Sequence, residues 1–307
     1  MRVDRGGEVL LAQAYGRADR RREIPNELDT RFGLASGTKG LTALTTVSLI
    51  EEGTLEPSTT ARSLLGADLP LIRDDVTVEH LLAHRSGIGD YYDEEVHTDV
   101  DAFVLPVPVG DLATTEAYLT VLDGFPTKFA PDERFSYCNS GYVVLALLAE
   151  RASGVPFHEL VVQRVCEPAG MRDTGFFRSD ELPERTALGY VDATRTNALH
   201  LPVRGSGDGG IYSTVADVSS MWRAFFAGEI VSSDWVREMV RPRSEAEKRR
   251  YGLGFWLDAT TDTVSLVGMD AGVSFWSAHD PATATTATVV SNTSDGAWPI
   301  ARRLRER

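Results

Sequence analysis

Lysine is scarce in this chain. Of 307 residues, only Lys39, Lys128 and Lys248 are lysines. Acidic residues outnumber basic ones, 45 Asp and Glu against 31 Lys and Arg, for a formal net charge of −14. The missing basic excess excludes the electrostatic footprint that a nucleic-acid backbone requires. It argues equally against an anionic membrane surface. Cysteine is almost absent, and Cys138 and Cys166 make no disulfide framework. No apolar run approaches the ~20 residues of a membrane span. The stretch from Met1 to Gly7 lacks the apolar centre of a secretion signal. The expected location is therefore the cytoplasm, with a lost leader as the alternative. The six histidines are 80, 84, 97, 158, 200 and 279. Only His80 and His84 share a metal-ligand spacing, and no third ligand accompanies them. No metal and no cofactor are expected.

What is present is ordinary for a globular protein, with 42% hydrophobic and 25% charged residues. A chain of this length buries a large core, as one domain or two. Its organising stretch is Phe32-Gly33-Leu34-Ala35-Ser36-Gly37-Thr38-Lys39-Gly40. Leu41, Leu44, Val47 and Ile50 follow at helical spacing, and Gly53 is the stop. Ser36 thus falls at the helix start, with Lys39 three residues on, on the same face. A serine hydroxyl is a weak nucleophile until an adjacent base takes its proton. The positive end of the helix dipole favours charge developing there. An isolated Ser-x-x-Lys is ordinarily a capping serine and a solvated lysine, so the pattern needs support from elsewhere.

Strands are expected at Glu8–Tyr15, entered from a Gly6-Gly7 turn, and at Thr30–Phe32. From Leu55 to Pro202 the pattern is helical. Helices are expected at Thr77–His84, Thr114–Leu122, Ser140–Ser153 and Phe157–Val165, and residues 90–111 form an acidic, aperiodic loop or lid. Leu201–Gly210 is a glycine-rich turn region, and Thr214 opens a capped helix through Phe226. Then the character changes. Gly252–Leu257, Thr263–Val267, Val273–Ala278 and Thr285–Ser291 read as antiparallel-type strands, and Trp298–Arg307 as a last helix. The fold class expected is α+β: an antiparallel sheet flanked by helices and built from both termini, with an all-helical insert. The corresponding domains are 1–54 with 203–307, carrying the nucleophile helix, and 55–202, carrying Tyr137.

Tyr137-Cys138-Asn139 directly precedes the strongest helix of the insert. Tyr137 and Asn139, two apart in extended chain, project to one side. The plain reading is a core tyrosine and a capping asparagine. The chemical reading is a general base, if a neighbouring cation lowers the tyrosine pKa, and an amide that donates to a substrate carbonyl.

Ser36-Gly37-Thr38-Lys39 followed about a hundred residues later by Tyr137-Cys138-Asn139 resembles the serine beta-lactamase and penicillin-binding-protein superfamily, of which Ser-x-x-Lys is a signature. The Tyr-x-Asn motif looks like its class C branch, which also holds DD-peptidase-like proteins, D-aminopeptidases and family VIII esterases. Asp29–Ser36 looks like the family lead-in to the nucleophile. Leu81-Leu82-Ala83-His84-Arg85-Ser86-Gly87 looks like its structural turn. The similarity extends through Gly209–Thr214, Tyr251–Phe255 and Val289–Asn292, nearly the whole chain.

The resemblance implies a two-step acyl transfer. Ser36 attacks a carbonyl while Lys39 and Tyr137 handle its proton, and Tyr137, helped by Lys39, then activates water. The third family motif, Lys-Thr-Gly or His-x-Gly, falls at Leu266-Val267-Gly268, so the family cation is missing. Gly268 remains, and the Met269 N–H is placed to complete an oxyanion hole with that of Ser36. Leu266 and Asp270 share a strand face and are expected to border the pocket, or Asp270 turns outward and caps a bend. A wall without its cation and with an added carboxylate should repel anionic acyl groups. The expected activity is a serine hydrolase on neutral esters or small amides, the partner being a small ester, amide or peptide-like molecule. The rivals are a beta-lactamase or DD-peptidase, and a non-catalytic ligand binder.

Overall fold

The computed structural model describes residues 1–246 and 249–305. Lys248 therefore lies outside the described residues, as do the last two positions of the expected C-terminal helix.

Chain order is as follows. β1 (Arg2–Arg5) and β2 (Glu8–Ala12) form a hairpin, and β3 (Arg17–Asp19), β4 (Ile24–Pro25) and β5 (Phe32–Gly33) are short. α1 spans Thr38–Glu51, α2 Ala61–Leu65, α3 Val78–Leu82, α4 Leu119–Leu122 and α5 Asn139–Ser153. α6 (Phe157–Val161) runs through a π-turn into α7 (Glu167–Ala169). β6 (Tyr212–Ser213), α8 (Val215–Phe226) and α9 (Ser233–Met239) follow. The last elements are β7 (Ser244–Ala246), β8 (Arg249–Tyr251), β9 (Trp256–Asp258), β10 (Val264–Asp270), β11 (Val273–Asp280), β12 (Thr285–Ser291) and α10 (Trp298–Arg305).

One eight-stranded sheet has the order β2-β1-β12-β11-β10-β9-β8-β7, antiparallel throughout. Its strands come from both ends of the chain, and among the described residues no strand lies between β5 and β6. No helix of the described residues is long and apolar enough to cross a membrane.

The sheet is covered on both faces, and side-chain alternation sorts its residues between them. On β11, Phe275 packs into the large core while Trp276 joins a smaller cluster with Ala297 and Ala301 of the α10 region. Ser277, on the Phe275 side, accepts a hydrogen bond of 2.8 Å from Trp222 Nε1 of α8. Covered faces explain why β11 is buried along nearly its whole length.

α1 runs through the centre of the molecule and is buried on all sides from Thr38 to Ile50. A helix so enclosed needs a solution for its polar residues. The hydroxyls of Thr45 and Thr46 each donate to the carbonyl four residues back, both at 2.9 Å. Thr42 donates to Gly207 O at 2.6 Å. Two glycines let the helix lie against the sheet. A methyl on Gly37 would stand 2.5 Å from the Phe275 ring, and one on Gly40 would stand 2.7 Å from Leu266 Cδ2.

Several expected elements are reshaped. Helix 114–122 is a 3-10 turn over Glu116–Tyr118 running into α4. Gly252–Leu257 holds a strand only from Trp256, because Gly254 has φ +91° and turns the chain. β7, β8 and α9 carry too little apolar pattern to announce themselves.

Candidate active site

Ser36 sits on a tight 3-10 turn, Ala35–Gly37, that leads directly into α1. Ala35 has φ +47°, a left-handed conformation uncommon for alanine. Neighbours hold it there. Leu34 N–H donates to Ile211 O and Gly37 N–H to Leu34 O, each at 2.9 Å. Thr38 Oγ1 donates to Ala35 O at 2.7 Å and accepts from Ile211 N–H at 3.2 Å. From the other side β10 presses in. A methyl on Gly268 would stand 2.2 Å from Leu34 O and 3.0 Å from Ser36 N. Only glycine allows that approach. The local strain persists because the surroundings over-determine it.

Lys39, one helical turn on, is only 2% exposed. Its Nζ donates to Ser36 Oγ at 2.9 Å, Asn139 Oδ1 at 2.8 Å and the Asp208 carbonyl at 2.8 Å. Two partners are fixed acceptors and the third is the serine. An ammonium uses all three donors; a neutral amine keeps the two fixed bonds and turns its lone pair to the serine proton.

Tyr137 enters from the chain before α5. Its ring stacks on Trp256 at 5.9 Å and leans on His84 at 4.3 Å between centroids. Its hydroxyl hydrogen-bonds Ser36. Burial, then the charge of Glu94, push this hydroxyl well above its ordinary pKa, outweighing the Ser36 bond. The expectation of a lowered pKa is corrected. Lys39 Nζ stands over the ring, 5.0 Å from its centroid. Tyr137 is a neutral phenol here.

The Asn139 amide lines the cleft and is held from two sides. Oδ1 takes Lys39, and Nδ2 donates to Tyr92 O at 2.9 Å. Its place in the fold is to aim Lys39.

Residues that motif reading passed over hold this group together. Asp90 is 5% exposed and its carboxylate accepts from Asn139 N–H at 2.7 Å and Ser140 N–H at 2.9 Å. It thereby caps α5 from outside the helix. Burial raises its pKa to about 6 against those bonds. His84, with φ +53°, accepts from Cys138 N–H at Nδ1 (3.1 Å), and its carbonyl accepts from Ser136 N–H at 2.9 Å. It clamps both sides of Tyr137. Burial and Lys39 lower its pKa well below the usual histidine value. His80 instead closes a capping box with Thr77 on α3. Among the described residues no group of three or more His, Cys, Asp or Glu is arranged to hold a metal ion.

The expected wall of β10 divides. Leu266 is a correction: it is 3% exposed, packs against Gly40 and does not line the cleft. Met269 and Asp270 do line it, together with Ser36 and Asn139. β9 pairs with β10 only at Val264 and Ser265, so from Leu266 onward that edge meets the nucleophile turn instead of a strand. Leu266, Gly268 and Asp270 share a face. α1 covers it at Leu266, and the cleft opens beyond Gly268.

The cleft encloses about 940 Å³, including its mouth. Residues 90–111 contribute Tyr91, Tyr92, Glu94, Val100, Phe103 and Leu105 to its wall, so the aperiodic loop does border the site. Asp208 and Asp270 also line it, and among the described residues no arginine or lysine does. The Tyr91 hydroxyl donates to Asp208 Oδ2. Asp270 is pushed up to about 7 by burial and by the charge of Asp208, with Lys39 pulling the other way.

The chain resembles known proteins over its full length. It matches the solved penicillin binding protein from Bacillus halodurans with a TM-score of 0.94 and 35% identity, covering 99% of this chain and 95% of that one. It is 28% identical to penicillin-binding protein 4* of Bacillus subtilis over 87% of this chain and 61% of that protein. It is 35% identical to esterase EstB of Burkholderia gladioli over 62% of this chain and 49% of that protein. The chain thus spans about half to three-fifths of the length of these two curated relatives. A family model described as Beta-lactamase matches residues 2–306, and the chain belongs to that family.

Proposed function

We propose that this protein is a serine hydrolase that acts through an acyl-enzyme on Ser36, on neutral esters or small amides. The observation that carries the reading is Lys39 Nζ, buried and 2.9 Å from the Oγ of Ser36, which lines an open cleft. Esterase EstB, among the relatives, supports an ester-cleaving activity.

In this mechanism Ser36 Oγ bonds the substrate carbonyl carbon while its proton passes to Lys39 Nζ. The N–H groups of Ser36 and Met269 take the negative charge on the carbonyl oxygen. Tyr137, a neutral phenol, gives its proton to the departing alkoxide or amine, and Lys39 restores it. Water then repeats the sequence on the acyl-enzyme, with Tyr137 and Lys39 taking its proton and returning one to Ser36. No step needs a phenolate in the resting protein, which fits the raised pKa of Tyr137.

A beta-lactamase or DD-peptidase reading is weaker. Those substrates are anionic, the family cation is replaced by Leu266, and the charged side chains lining the cleft are carboxylates.

The test is labelling with a fluorophosphonate, read by intact-protein mass, alongside turnover of p-nitrophenyl butyrate. One adduct per chain, lost together with turnover in Ser36→Ala at unchanged melting temperature, is the expected result. Full activity in Ser36→Ala overturns the mechanism.

A further inference from the structure

We propose that Asp208 is a positioning residue for the reaction, whose carboxylate steadies the ammonium formed when Lys39 takes the Ser36 proton. This deepens the proposed function and rests on it for the direction of proton transfer.

Asp208 stands in the turn Gly205-Ser206-Gly207-Asp208-Gly209-Gly210. The turn is folded on itself and pressed against two helices. Ser206 N–H donates to Gly209 O at 3.0 Å, and Gly207 O accepts from Thr42 of α1 at 2.6 Å. A methyl on Gly207 would run into the Tyr142 carbonyl of α5. This backbone delivers the Asp208 carbonyl to Lys39 Nζ at 2.8 Å. A backbone carbonyl asks for no particular side chain, and a small neutral one would hold Nζ equally well. The fold carries a carboxylate there instead, only 7% exposed. Burying a charge is costly unless it is paired and hydrogen-bonded. The Tyr91 hydroxyl and the N–H groups of 208 and 209 bond it, and none of them is charged. The cation that acts on it is Lys39. Burial pushes the Asp208 carboxyl up, and Lys39 and the three donors pull it back.

In the acylation step Ser36 Oγ bonds the substrate carbonyl carbon. The carbonyl π pair moves to its oxygen, and the serine proton goes to Lys39 Nζ. A positive charge then stands in a site that is 2% exposed. Asp208 exchanges no proton and stays negative throughout. A fixed opposite charge away from water favours that ammonium as it forms. The buried carboxylate of a serine–histidine–aspartate triad acts on its imidazolium in the same way. The other groups acting on Asp208 are Tyr91, Tyr118, Tyr137 and Asp270. Those acting on Lys39, or acted on by it, are His84, kept neutral by burial, Cys138, Tyr251, Glu94 and Asp270. Glu94 is exposed and Asp270 half-buried, so cleft water screens both more than it screens Asp208.

The experiment uses Asp208→Asn, an isostere whose carbonyl oxygen still accepts from Tyr91. Turnover of p-nitrophenyl butyrate is followed from pH 5 to pH 9 in wild type and variant. The plateau kcat should fall at least tenfold with KM changed less than about threefold. The limb on which activity rises with pH should move at least half a pH unit lower, because removing the carboxylate also disfavours the protonated amine in the resting protein. A merely structural role would not move that limb. A second arm needs no turnover and places Asp208→Asn and Lys39→Met in a double-mutant cycle of melting temperatures. Asp208→Asn should lower the melting temperature while Lys39 is present, since it leaves an ammonium unpaired. It should raise it in Lys39→Met, where the carboxylate is the unpaired charge. An unchanged plateau, an unmoved limb, or the same melting shift in both backgrounds overturns the proposal. If wild type cleaves no ester at all, the hydrolase reading fails. The melting cycle then decides the Lys39–Asp208 pair alone, and equal shifts overturn it.

Discussion

The two walls of the cleft are built on opposite principles. On the nucleophile side the groups that orient Ser36 and Lys39 have partners, while the buried Nε2 of His84, behind Tyr137, has none among the described residues. Lys39 makes three hydrogen bonds, the Asn139 amide is held at both its oxygen and its nitrogen, and Asp90 holds the start of α5 through two backbone N–H groups. Elsewhere on the cleft wall Asp270 has no partner, and the buried Nδ1 of His200, another lining residue, has none, among the described residues. A saturated wall holds its geometry and orients reacting atoms. An unsaturated wall offers unmet hydrogen-bonding and charge, which a ligand can satisfy. β10 shows the contrast on one face. Leu266 is closed off by α1, and Asp270, four residues on, opens to the cleft.

The sharpest way to break the comparison is to attack the saturated wall at its centre. Lys39→Ala and Tyr137→Phe should each lower kcat/KM by roughly a thousandfold or more, and the double variant should be little worse than either, since they share one proton path. Additive losses in ester turnover would separate them into independent steps.

Next comes the seam between the walls. Gly268→Ala drives a methyl against the backbone of Leu34 and Ser36, where no flexible side chain can yield. Turnover should drop about a hundredfold, the scale of losing one oxyanion donor. Gly40→Ala meets side chains alone, the tips of Leu266 first and the Phe255 ring at 3.2 Å. Pairing it with Leu266→Ala should restore most of its lost melting temperature, and no such partner exists for Gly268→Ala.

Asp90→Ala tests the support behind Asn139. It strands two N–H groups at the start of α5, a loss of about 2 kcal/mol or more for buried donors. Urea unfolding should show that loss, with kcat falling more than KM rises, because Asn139 no longer aims Lys39. An unchanged kcat would make Asp90 purely structural.

The last test concerns the unsaturated wall and pH. Burial raises Asp270 from 3.8 to about 7. A carboxyl raised on folding contributes stability fully below its unfolded value and loses it as pH rises through the folded one. The melting temperature of Asp270→Asn relative to wild type should therefore climb between about pH 4 and pH 7 and level off above. A flat difference across that window would mean that Asp270 is not desolvated in the free protein.

How much of this was legible beforehand follows from what leaves a local trace. α1, α5 and β10 to β12 were readable because each repeats an apolar period over many residues. β7 and β8 are three residues each and charged, so packing alone selects them. Ser36, Lys39 and Tyr137 were found through motif spacing. Asp90 and Asp208 stand in an acidic loop and a glycine-rich turn with no local mark of their use, since the site partners they hold, Asn139 and Tyr91, are 49 and 117 residues away in sequence.

The sequence by itself determined that Ser36 and Lys39 share one helix face, because a helical period links positions three apart. It also put Leu266, Gly268 and Asp270 on one strand face. Only the tertiary structure decided what those faces meet. α1 runs over β10 as far as Gly268 and no further, so Leu266 became core and Asp270 became cleft. Periodicity orients a side chain relative to its own element, whereas burial depends on which other elements arrive, and that is set by packing across the whole chain.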